Sequence, residues 1–447
     1  MSVLVMDASG NHALAVVRSL GRRGVRVAAA GETWCAQSFL SRHCARRFLY
    51  SSPERGIREF RAALGRILAR ARPAMVMPMT ERTILALLTG PDGIGSQAAL
   101  APFPPRESLR VAFDKSETLW LAASLGVAVP RTWSFARLPD FEVLRSRLTY
   151  PAVIKPRRSE IVTVDGRIVP SGPVAYCFGP ERLEALFLEV HRRAPLPLVQ
   201  EYIPGDGYGI SALCDRGRIR ALFAHRRLRM IQPTGSGSSL RESVAPPPAM
   251  AEAARRLLEA LRWHGVAMVE FKLDARDGAP RLMEINGRFW NSLPLAVAAG
   301  VDFPFLLYRL GIEGTCPERF DYRVGVRSRW LAGDARHLLA VLRGRPAGWT
   351  DPFPPRLQTL REFMRLGGRD LHYDELQASD PGPLLAELVE ALLRQVPRRL
   401  ASLRSPAVEE APGSPFDAGG GPRAGRAGRS LPGGEKGADF VPETASP

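Results

Sequence analysis

Two acidic residues in the second half of the chain have a spacing that suits a bound cation. Residues 266–274 alternate apolar and polar side chains in the manner of a β-strand, and residues 281–286 do the same. A turn signal at residues 276–278 separates the two runs, so we predict an antiparallel hairpin. If the turn centres on position 277, Glu270 lies directly opposite Glu284.

The chemistry of this hairpin is that of an oxygen-ligand metal site. Glu284 and Asn286 are two residues apart and therefore share one face. Lys272 shares that face with Glu270 and is predicted to lie opposite Leu282. Directly opposed carboxylates repel each other, and oxygen ligands of this kind suit Mg²⁺ or Mn²⁺ completed by phosphate and water. The alternative is a solvated outer face, and a slip of one residue would separate the two acids.

The lysines point to the same chemistry. Of the 62 lysines and arginines, only four are lysine. Lys115 opens a predicted helix, Lys155 ends a predicted strand and Lys272 lies in the hairpin, whereas Lys436 lies in a glycine-rich tail. A compact ammonium suits phosphate oxygens as a point charge, so we predict that the first three serve one phosphate-and-metal site. The alternatives are an exposed helix lysine at 115 and an ordinary strand-end lysine at 155.

The same residues exclude several classes of function. A Walker A loop needs a glycine directly before its lysine, and none of the four lysines has one. The Ala-Val-Ile-Lys run ending at Lys155 is typical of protein kinases, but no His-Arg-Asp or Asp-Phe-Gly motif accompanies it. The net charge of +17 is mainly an arginine background without a basic, aromatic-interleaved stripe, so we expect no nucleic acid partner. No apolar run approaches the ~18 residues of a membrane span, and five scattered cysteines favour a reducing cytoplasm.

Alternating elements at the N-terminus indicate an α/β class with a parallel sheet. The predicted elements are strands at 2–7, 25–29 and 74–78 and helices at 12–23, 55–71 and 80–89. Gly10 stands alone in the first loop, so the signal for a dinucleotide is weak, although Glu32 lies 22 residues beyond it. We interpret His12, beside this loop, as structural.

The elements of the rest of the chain must position the hairpin and the lysines. A loop-rich boundary spans 90–105. The predicted elements are helices at 114–125, 180–193 and 249–262, strands at 152–155 and 198–202, and a pair of strands within 208–231. Residues 326–400 read as mostly helical, and 9 glycines and 7 prolines from residue 405 onward predict a disordered tail.

On these motifs the chain resembles the ATP-grasp superfamily. The strongest motif is residues 269–271 followed by 283–288, and the resemblance covers about residues 1–325. It is most similar to predicted ATP-grasp carboligases, in the carbamoyl-phosphate-synthase-like, carboxylate–amine ligase branch. The resemblance implies a Rossmann-like domain at 1–103, a two-lobed α+β ATP-grasp domain at 104–325 with a lid lobe at about 128–203, a helical extension at 326–404 and a disordered tail at 405–447.

The resemblance also implies a role for each candidate residue. The metal ligands would be Glu270, Glu284 and Asn286, the phosphate contacts Lys115 and Lys155, and the catalytic residues Arg288 and Lys272. Adenine would be held by Glu201 and the backbone of Tyr202 and Ile203, and the ribose by Asp206. Residues 225–229 and 234–239 resemble a substrate-side segment of these carboligases.

Two departures from the family pattern stand out. The lid loop that often follows the second lysine is glycine-rich in the family, whereas residues 157–170 contain only Gly166. The position of the ribose-binding acid is occupied by Gly207, with Asp206 beside it.

We therefore expect a ligase that uses Mg-ATP to activate a carboxylate as an acyl-phosphate and joins it to an amine. The alternatives are a phosphotransferase on the same scaffold and a non-catalytic ATP-binding regulator. The expected partners are a small carboxylate and a small amine, without nucleic acid or membrane, and a homodimer stays open.

Overall fold

The computed structural model describes residues 1–89, 100–235, 237–395 and 439–441. Part of the predicted boundary at 90–105 and nearly all of the predicted tail, including Lys436, lie outside these ranges. Within them, no single helix is long and apolar enough to cross a membrane, although two consecutive helices, Leu293–Ala299 and Phe303–Glu313, pass that test together across an 89° bend.

The N-terminal residues form the parallel sheet that their alternation predicts. Its elements are β1 (Ser2–Val5), α1 (Asn11–Arg22), β2 (Arg26–Gly31), β3 (Cys44–Leu49), α2 (Ile57–Ala71), β4 (Met75–Met77) and α3 (Glu81–Leu88). The strand order is β3-β2-β1-β4, and all neighbours are parallel. Asp7 ties the ends of β1 and β4 together, since its carboxylate accepts hydrogen bonds from the amides of Met79 and Thr80, both at 3.0 Å.

The next segment forms a lobe with its own small sheet. It contains α4 (Arg106–Phe113), α5 (Lys115–Ser124), β5 (Thr132–Ser134), α6 (Phe141–Arg147), β6 (Ala152–Lys155), β7 (Glu160–Val162), β8 (Ile168–Pro170), β9 (Ala175–Cys177), α7 (Leu183–Arg193) and β10 (Leu198–Glu201). Four of these strands pair in the order β5-β10-β6-β9, and β7 pairs with β8 as a separate hairpin. A separate apolar core, which includes Trp133, Phe135 and Phe187, lies inside the lobe.

A large sheet carries the hairpin. Its elements are β11 (Gly205–Asp215), β12 (Arg218–Met230), β13 (Ser238–Val244), α8 (Pro248–Ala260), β14 (Gly265–Asp274), β15 (Pro280–Asn286), α9 (Leu293–Ala299) and α10 (Phe303–Glu313). The strands run β15-β14-β11-β12-β13 and are antiparallel throughout. The hairpin therefore lies at one edge of the sheet, next to the lobe and α5.

The C-terminal residues extend the same sheet at its other edge. They form β16 (Arg327–Arg329), α11 (Leu331–Arg343), α12 (Arg356–Met364), β17 (Leu371–Tyr373) and α13 (Gly382–Gln395). β16 pairs with β13, and β17 pairs with β16. Residues 439–441 form β18, which pairs with β5 at the edge of the lobe sheet, although they lie in the tail predicted to be disordered. The domain boundaries stay predictions.

Candidate active site

The hairpin has the predicted register at its centre. Glu270 of β14 pairs with Glu284 of β15, and Met268 pairs with Asn286. The Asn286 side-chain amide donates to both carboxylates, at 3.0 Å to Glu270 and 3.4 Å to Glu284. The structure thus brings the three proposed metal ligands together on one face.

The predicted pairing of Lys272 with Leu282 is wrong. The register shifts after Glu270, so Phe271 pairs with Leu282 and Lys272 with Arg281. Met283 is the extra residue of a β-bulge, which lets two residues of one strand oppose one of the other. The shift leaves the acidic pair in register.

Cations surround the two acids. Arg227 of β12 forms an ion pair with Glu270, and the Lys115 ammonium lies 3.6 Å from Glu284. Burial raises the pKa of Glu270 despite Arg227. Burial also acts on Glu284, but Lys115 and Lys155 outweigh it and hold the pKa of Glu284 below its usual value. Nearby cations therefore offset the negative charge of Glu284 more fully than that of Glu270.

These donors fit a hard divalent cation. Two carboxylates and one amide on adjacent strands supply oxygen ligands, which Mg²⁺ prefers when phosphate and water complete its shell. The Asn286 amide nitrogen faces both carboxylates, and a half-turn of the amide would present its oxygen to a metal instead. No group of three or more His, Cys, Asp or Glu side chains suited to a metal occurs in the described part of the chain. A metal here would thus depend on Asn286 or on a bound phosphate.

Lys115 and Lys155 reach the acids from different elements. Lys115 follows Asp114, whose side chain caps α5 by accepting from the amides of Ser116 and Glu117. The ammonium of Lys115 also lies 3.2 Å from the Ser159 hydroxyl. Lys155 ends β6 and is buried, and burial together with the charge of Lys115 lowers its pKa to about 8. The charges of Lys115 and Lys155 both act on Glu284, so the two ammonium groups favour an anion beside it.

Arg288 follows β15 after one residue, Gly287, where the chain passes close to the core. A Cβ on Gly287 would lie 2.9 Å from the Trp263 ring. The Arg288 guanidinium donates to the carbonyl of Phe289 at 2.8 Å. Its charge opposes the rise that burial causes in the pKa of Glu270, contributes to the low pKa of Glu284 and, with burial as the larger cause, lowers the pKa of His12 to about 4. Arg288 is therefore close enough for its charge to act on both the acidic pair and His12, which lies beside the loop that follows β1.

The residues proposed to contact adenine form a second group, and Lys272 of the hairpin contacts two of them. The Lys272 ammonium donates to the carbonyl of Ile203 at 2.5 Å and lies 5.0 Å above the Tyr202 ring. Glu201 accepts from the amide and guanidinium of Arg131, at 3.1 and 3.3 Å. Lys272 thus contacts the segment that follows β10 rather than the two acids.

Asp206 lies apart from these contacts. Its carboxylate is 60% exposed and 3.9 Å from Arg226. It comes shortly after the proposed base contacts, one residue after Gly205, whose positive φ of 118° and close approach to the Leu273 carbonyl leave no room for a Cβ.

Glu81 is a residue of this site that the sequence reasoning missed. It begins α3 in the N-terminal sheet unit, and its Oε1 is buried without a hydrogen-bond partner. Burial raises its pKa to about 7, opposed by Lys115 and Arg288. No local pattern marks it, because its neighbours come from segments far along the chain.

The glycine-poor loop forms the β7–β8 hairpin and packs against the N-terminal unit. The amide of Ile57 donates to the carbonyl of Gly166 at 2.9 Å, and the amide of Ile168 donates to the carbonyl of Pro53 at 3.0 Å. Arg82, next to Glu81, makes two hydrogen bonds of 3.1 Å to Glu160. Backbone hydrogen bonds and the Arg82–Glu160 ion pair therefore hold the hairpin against the N-terminal unit.

Comparison with known proteins finds a family match for one segment and solved structures of similar fold. Residues 193–333 match the family described as ATP-grasp in the biosynthetic pathway with Ter operon. No curated protein matches the chain.

Solved structures cover most of the chain at low identity. The biotin carboxylase domain dimer of Hydrogenobacter thermophilus 2-oxoglutarate carboxylase, in complex with MgADP, ADP and bicarbonate, is 13% identical, with a TM-score of 0.57 over 73% of each chain. The L-amino acid ligase of Bacillus licheniformis is 17% identical, with a TM-score of 0.53 over 70% of this chain and 74% of that one.

A third structure is an enzyme of the same fold from Thermus thermophilus. Its N5-carboxyaminoimidazole ribonucleotide synthetase is 18% identical, with a TM-score of 0.51 over 70% of this chain and 78% of that one. Identities of this size establish the fold alone. With the family match at residues 193–333, they show that this chain has the fold of the ATP-grasp superfamily.

Proposed function

We propose that the chain is an Mg-ATP-dependent ligase that activates a carboxylate as an acyl-phosphate and joins it to an amine. The observation that carries the proposal is the direct opposition of Glu270 and Glu284 in one ladder, within a ring of cationic side chains. The cations whose charge acts on this pair are Lys115, Lys155, Arg227 and Arg288.

The acidic pair would hold the metal and the lysines the phosphates. Mg²⁺ on Glu270, Glu284 and Asn286 would neutralise charge on the β- and γ-phosphates when bound. Lys115 and Lys155 would bind the remaining phosphate oxygens, since both ammonium groups lie close to Glu284. Arg227 would then exchange its partner Glu270 for an anionic oxygen of the substrates.

The segment at the end of β10 would hold the nucleoside. Glu201, Tyr202 and Ile203 follow one another where β10 ends, and Lys272 fixes the last of them through its carbonyl. Asp206 follows this segment, and its carboxylate would accept hydrogen bonds from the ribose hydroxyls. Lys272 acts in this scheme as a positioning residue.

The reaction would proceed in two displacements. A carboxylate oxygen of the substrate attacks the γ-phosphorus, the bond to the bridging oxygen breaks and ADP leaves. The amine nitrogen then attacks the acyl carbon, phosphate leaves and the amine loses a proton. Arg288 would stabilise negative charge on the transferred group, since preorganised donors contribute most where charge develops. The docked β7–β8 hairpin would limit access of water to the acyl-phosphate.

A phosphotransferase would share the first displacement and stop at a stable phosphorylated product. The two reactions differ in the substrate group that accepts the phosphoryl group. A regulator without turnover would bind Mg-ATP and release no ADP.

The test is an ADP-release screen of the full chain with paired carboxylic acids and amines. We expect ADP formation that needs both partners and Mg²⁺, with an amide as product. Glu284→Gln should retain the fold and abolish turnover, whereas Glu313→Gln, an equal change in an exposed ion pair with Arg309, should leave it intact. Unchanged turnover in Glu284→Gln would refute the metal assignment, and ADP formation with a phosphorylated product and no amide would favour the phosphotransferase.

A further inference from the structure

Helix α12 presents its apolar side chains to solvent. Leu357, Leu360 and Met364 are 60%, 42% and 65% exposed, whereas the residue that the helix buries is Thr359. Spacings of three and four residues place the three apolar side chains in one stripe along the helix. The stripe therefore lies on the outside of the molecule, the reverse of a helix that packs its apolar side against a core.

Helix α11 adds to the same surface. Its Leu339 and Leu342 are exposed, as is Leu366 just after α12, and the two helices pack against each other. Single exposed leucines are ordinary on protein surfaces, but a group of six large apolar side chains on two adjacent helices indicates an interaction site. We call the exposed side chains of residues 331–366 the outer face.

Ion pairs on the inner side fix the orientation of both helices. Arg229 of the large sheet donates to Asp334 of α11 at 2.7 and 2.8 Å and to Glu362 of α12 at 2.7 Å. Arg329 of β16 also donates to Asp334, and to the carbonyl of Phe363 at 2.7 Å. The sheet thus holds α11 and α12 from one side, so the exposed side chains of both helices point away from it.

The outer face is basic. Residues 331–366 contain six arginines and three acids. Asp334 and Glu362 pair with Arg229, and Asp351 accepts a hydrogen bond from the hydroxyl of the tyrosine that follows β10. All three acids are buried or half-buried, whereas all six arginines are exposed. The arginines are Arg336, Arg343, Arg345, Arg356, Arg361 and Arg365. The outer face therefore offers guanidinium and apolar groups without an exposed carboxylate.

This composition favours a partner that is both anionic and apolar. A second copy of the chain, docked by the same face, would bring two sets of arginines together, and like charges repel. A nucleic acid would neutralise the arginines but would leave the leucines without an apolar contact. The surface of an anionic bilayer supplies both, because its phosphates attract arginine and its acyl boundary takes apolar side chains. The apolar stem of arginine also lets its guanidinium reach the phosphates from that boundary.

We propose that the outer face binds the surface of a membrane that contains anionic lipid. Leu357, Leu360 and Met364 would enter the boundary between headgroups and acyl chains. Arg361 and Arg365, which flank the stripe one helical turn apart, would contact lipid phosphates. This contact is peripheral. It differs from the expectation of no membrane partner, which rests on the lack of an apolar run long enough to span a bilayer.

The test measures sedimentation of the full chain with vesicles, without nucleotide. One set of vesicles contains phosphatidylglycerol and phosphatidylcholine in equal parts, and the other contains phosphatidylcholine alone. We expect binding to the first set that weakens as salt is raised, and little binding to the second. Arg361→Gln combined with Arg365→Gln should weaken binding by about fivefold for each arginine. Leu357→Gln combined with Met364→Gln should weaken it by roughly tenfold or more.

Matched controls come from exposed residues on other elements. Leu138→Gln in the lobe and Arg255→Gln on α8 should bind vesicles as the parent chain does. A melting temperature equal to that of the parent chain shows that a variant is folded. The arginine pair and the apolar pair are independent variants, so a loss of stability in one leaves the other as the test.

Three results would overturn the proposal. They are no binding of the parent chain to either set of vesicles, equal binding to both sets, and binding that is unchanged in both double variants. If vesicles do not bind but soluble poly-glutamate binds through Arg361 and Arg365, the partner is an acidic protein and the membrane proposal is wrong. None of these measurements uses ATP, so a failure of the ligase proposal leaves their outcome unchanged.

Discussion

Glu270 and Glu284 face each other across β14 and β15, yet their surroundings act on them in opposite directions. Burial raises the pKa of Glu270, whereas the lysines beside Glu284 hold its pKa below the usual value. In the metal-free protein, the ionised form of one acid is therefore disfavoured by folding, and that of the other is favoured.

Neutralising each acid separately should change stability with opposite signs. At pH 7, Glu270→Gln should raise the free energy of unfolding by about 0.2–1 kcal/mol, because burial, the larger effect, and the opposed carboxylate together disfavour the charge of Glu270 despite Arg227. Glu284→Gln should lower it by a similar amount, because Lys115 and Lys155 lose their counter-charge. Urea unfolding without Mg²⁺ measures both. Changes of the same sign in the two variants would contradict this view.

The charge of Lys155 should make nucleotide binding depend on pH. Its pKa of about 8 lies below the unfolded value, mainly because the ammonium is buried. The lysine therefore loses its charge as pH rises through 8, and Mg-ATP affinity should fall by up to about tenfold per pH unit above that point. Lys155→Met should bind more weakly at pH 7 and show a flatter profile. Calorimetric titration from pH 6.5 to 9 checks this, and an equally steep profile in the variant would exclude Lys155 as the cause.

Glu81 should make the fold less stable as pH rises from about 4.5 to about 7. Its folded pKa is raised to about 7, so within this window the folded state binds more protons than the unfolded state. Stability therefore falls with increasing pH across the window. Glu81→Gln should reduce this fall, with a gain on the order of 1–3 kcal/mol at pH 8 relative to pH 4.5. Urea melts at several pH values measure it, and parallel curves for variant and parent would show that Glu81 is not the source.

The β7–β8 hairpin should open when its ion pair is removed. Arg82→Gln deletes two hydrogen bonds to Glu160 and leaves the backbone contacts of Gly166 and Ile168 in place. Because proteolysis reports local opening, trypsin should cut after Arg167 several-fold faster in this variant.

A matched control for the hairpin experiment is Arg255→Gln, which removes exposed ion pairs on α8. Its cleavage rate in the hairpin should equal that of the parent chain. Equal rates for Arg82→Gln as well would mean that the backbone contacts alone hold the hairpin.

The parts of this site that sequence predicts are those built from local patterns. The alternation in β14 and β15 predicts the opposed acids, because strand periodicity and a short turn set the register. The bulge at Met283 is not encoded in that alternation, so the predicted partner of Lys272 is wrong. β3 escapes prediction because it is an edge strand in which Ala45, Arg46 and Arg47 are exposed in succession.

Contacts between distant segments could not be predicted in the same way. Glu81 comes to the hairpin acids only because the N-terminal unit packs against the large sheet. Gln37 and Glu387 share a cavity although 350 positions separate them in the chain. A single sequence carries no signal for such pairs.

The Arg18–Asp380 ion pair has a consequence for synthesis on the ribosome. Its two residues are 362 positions apart, and both are almost fully buried. At about 5–20 residues per second, translation reaches Asp380 roughly 20–70 s after Arg18. During that interval the Arg18 guanidinium, which is buried in the folded protein, lacks its Asp380 counter-ion, so the N-terminal unit remains incomplete until the segment between β17 and α13 has been synthesised.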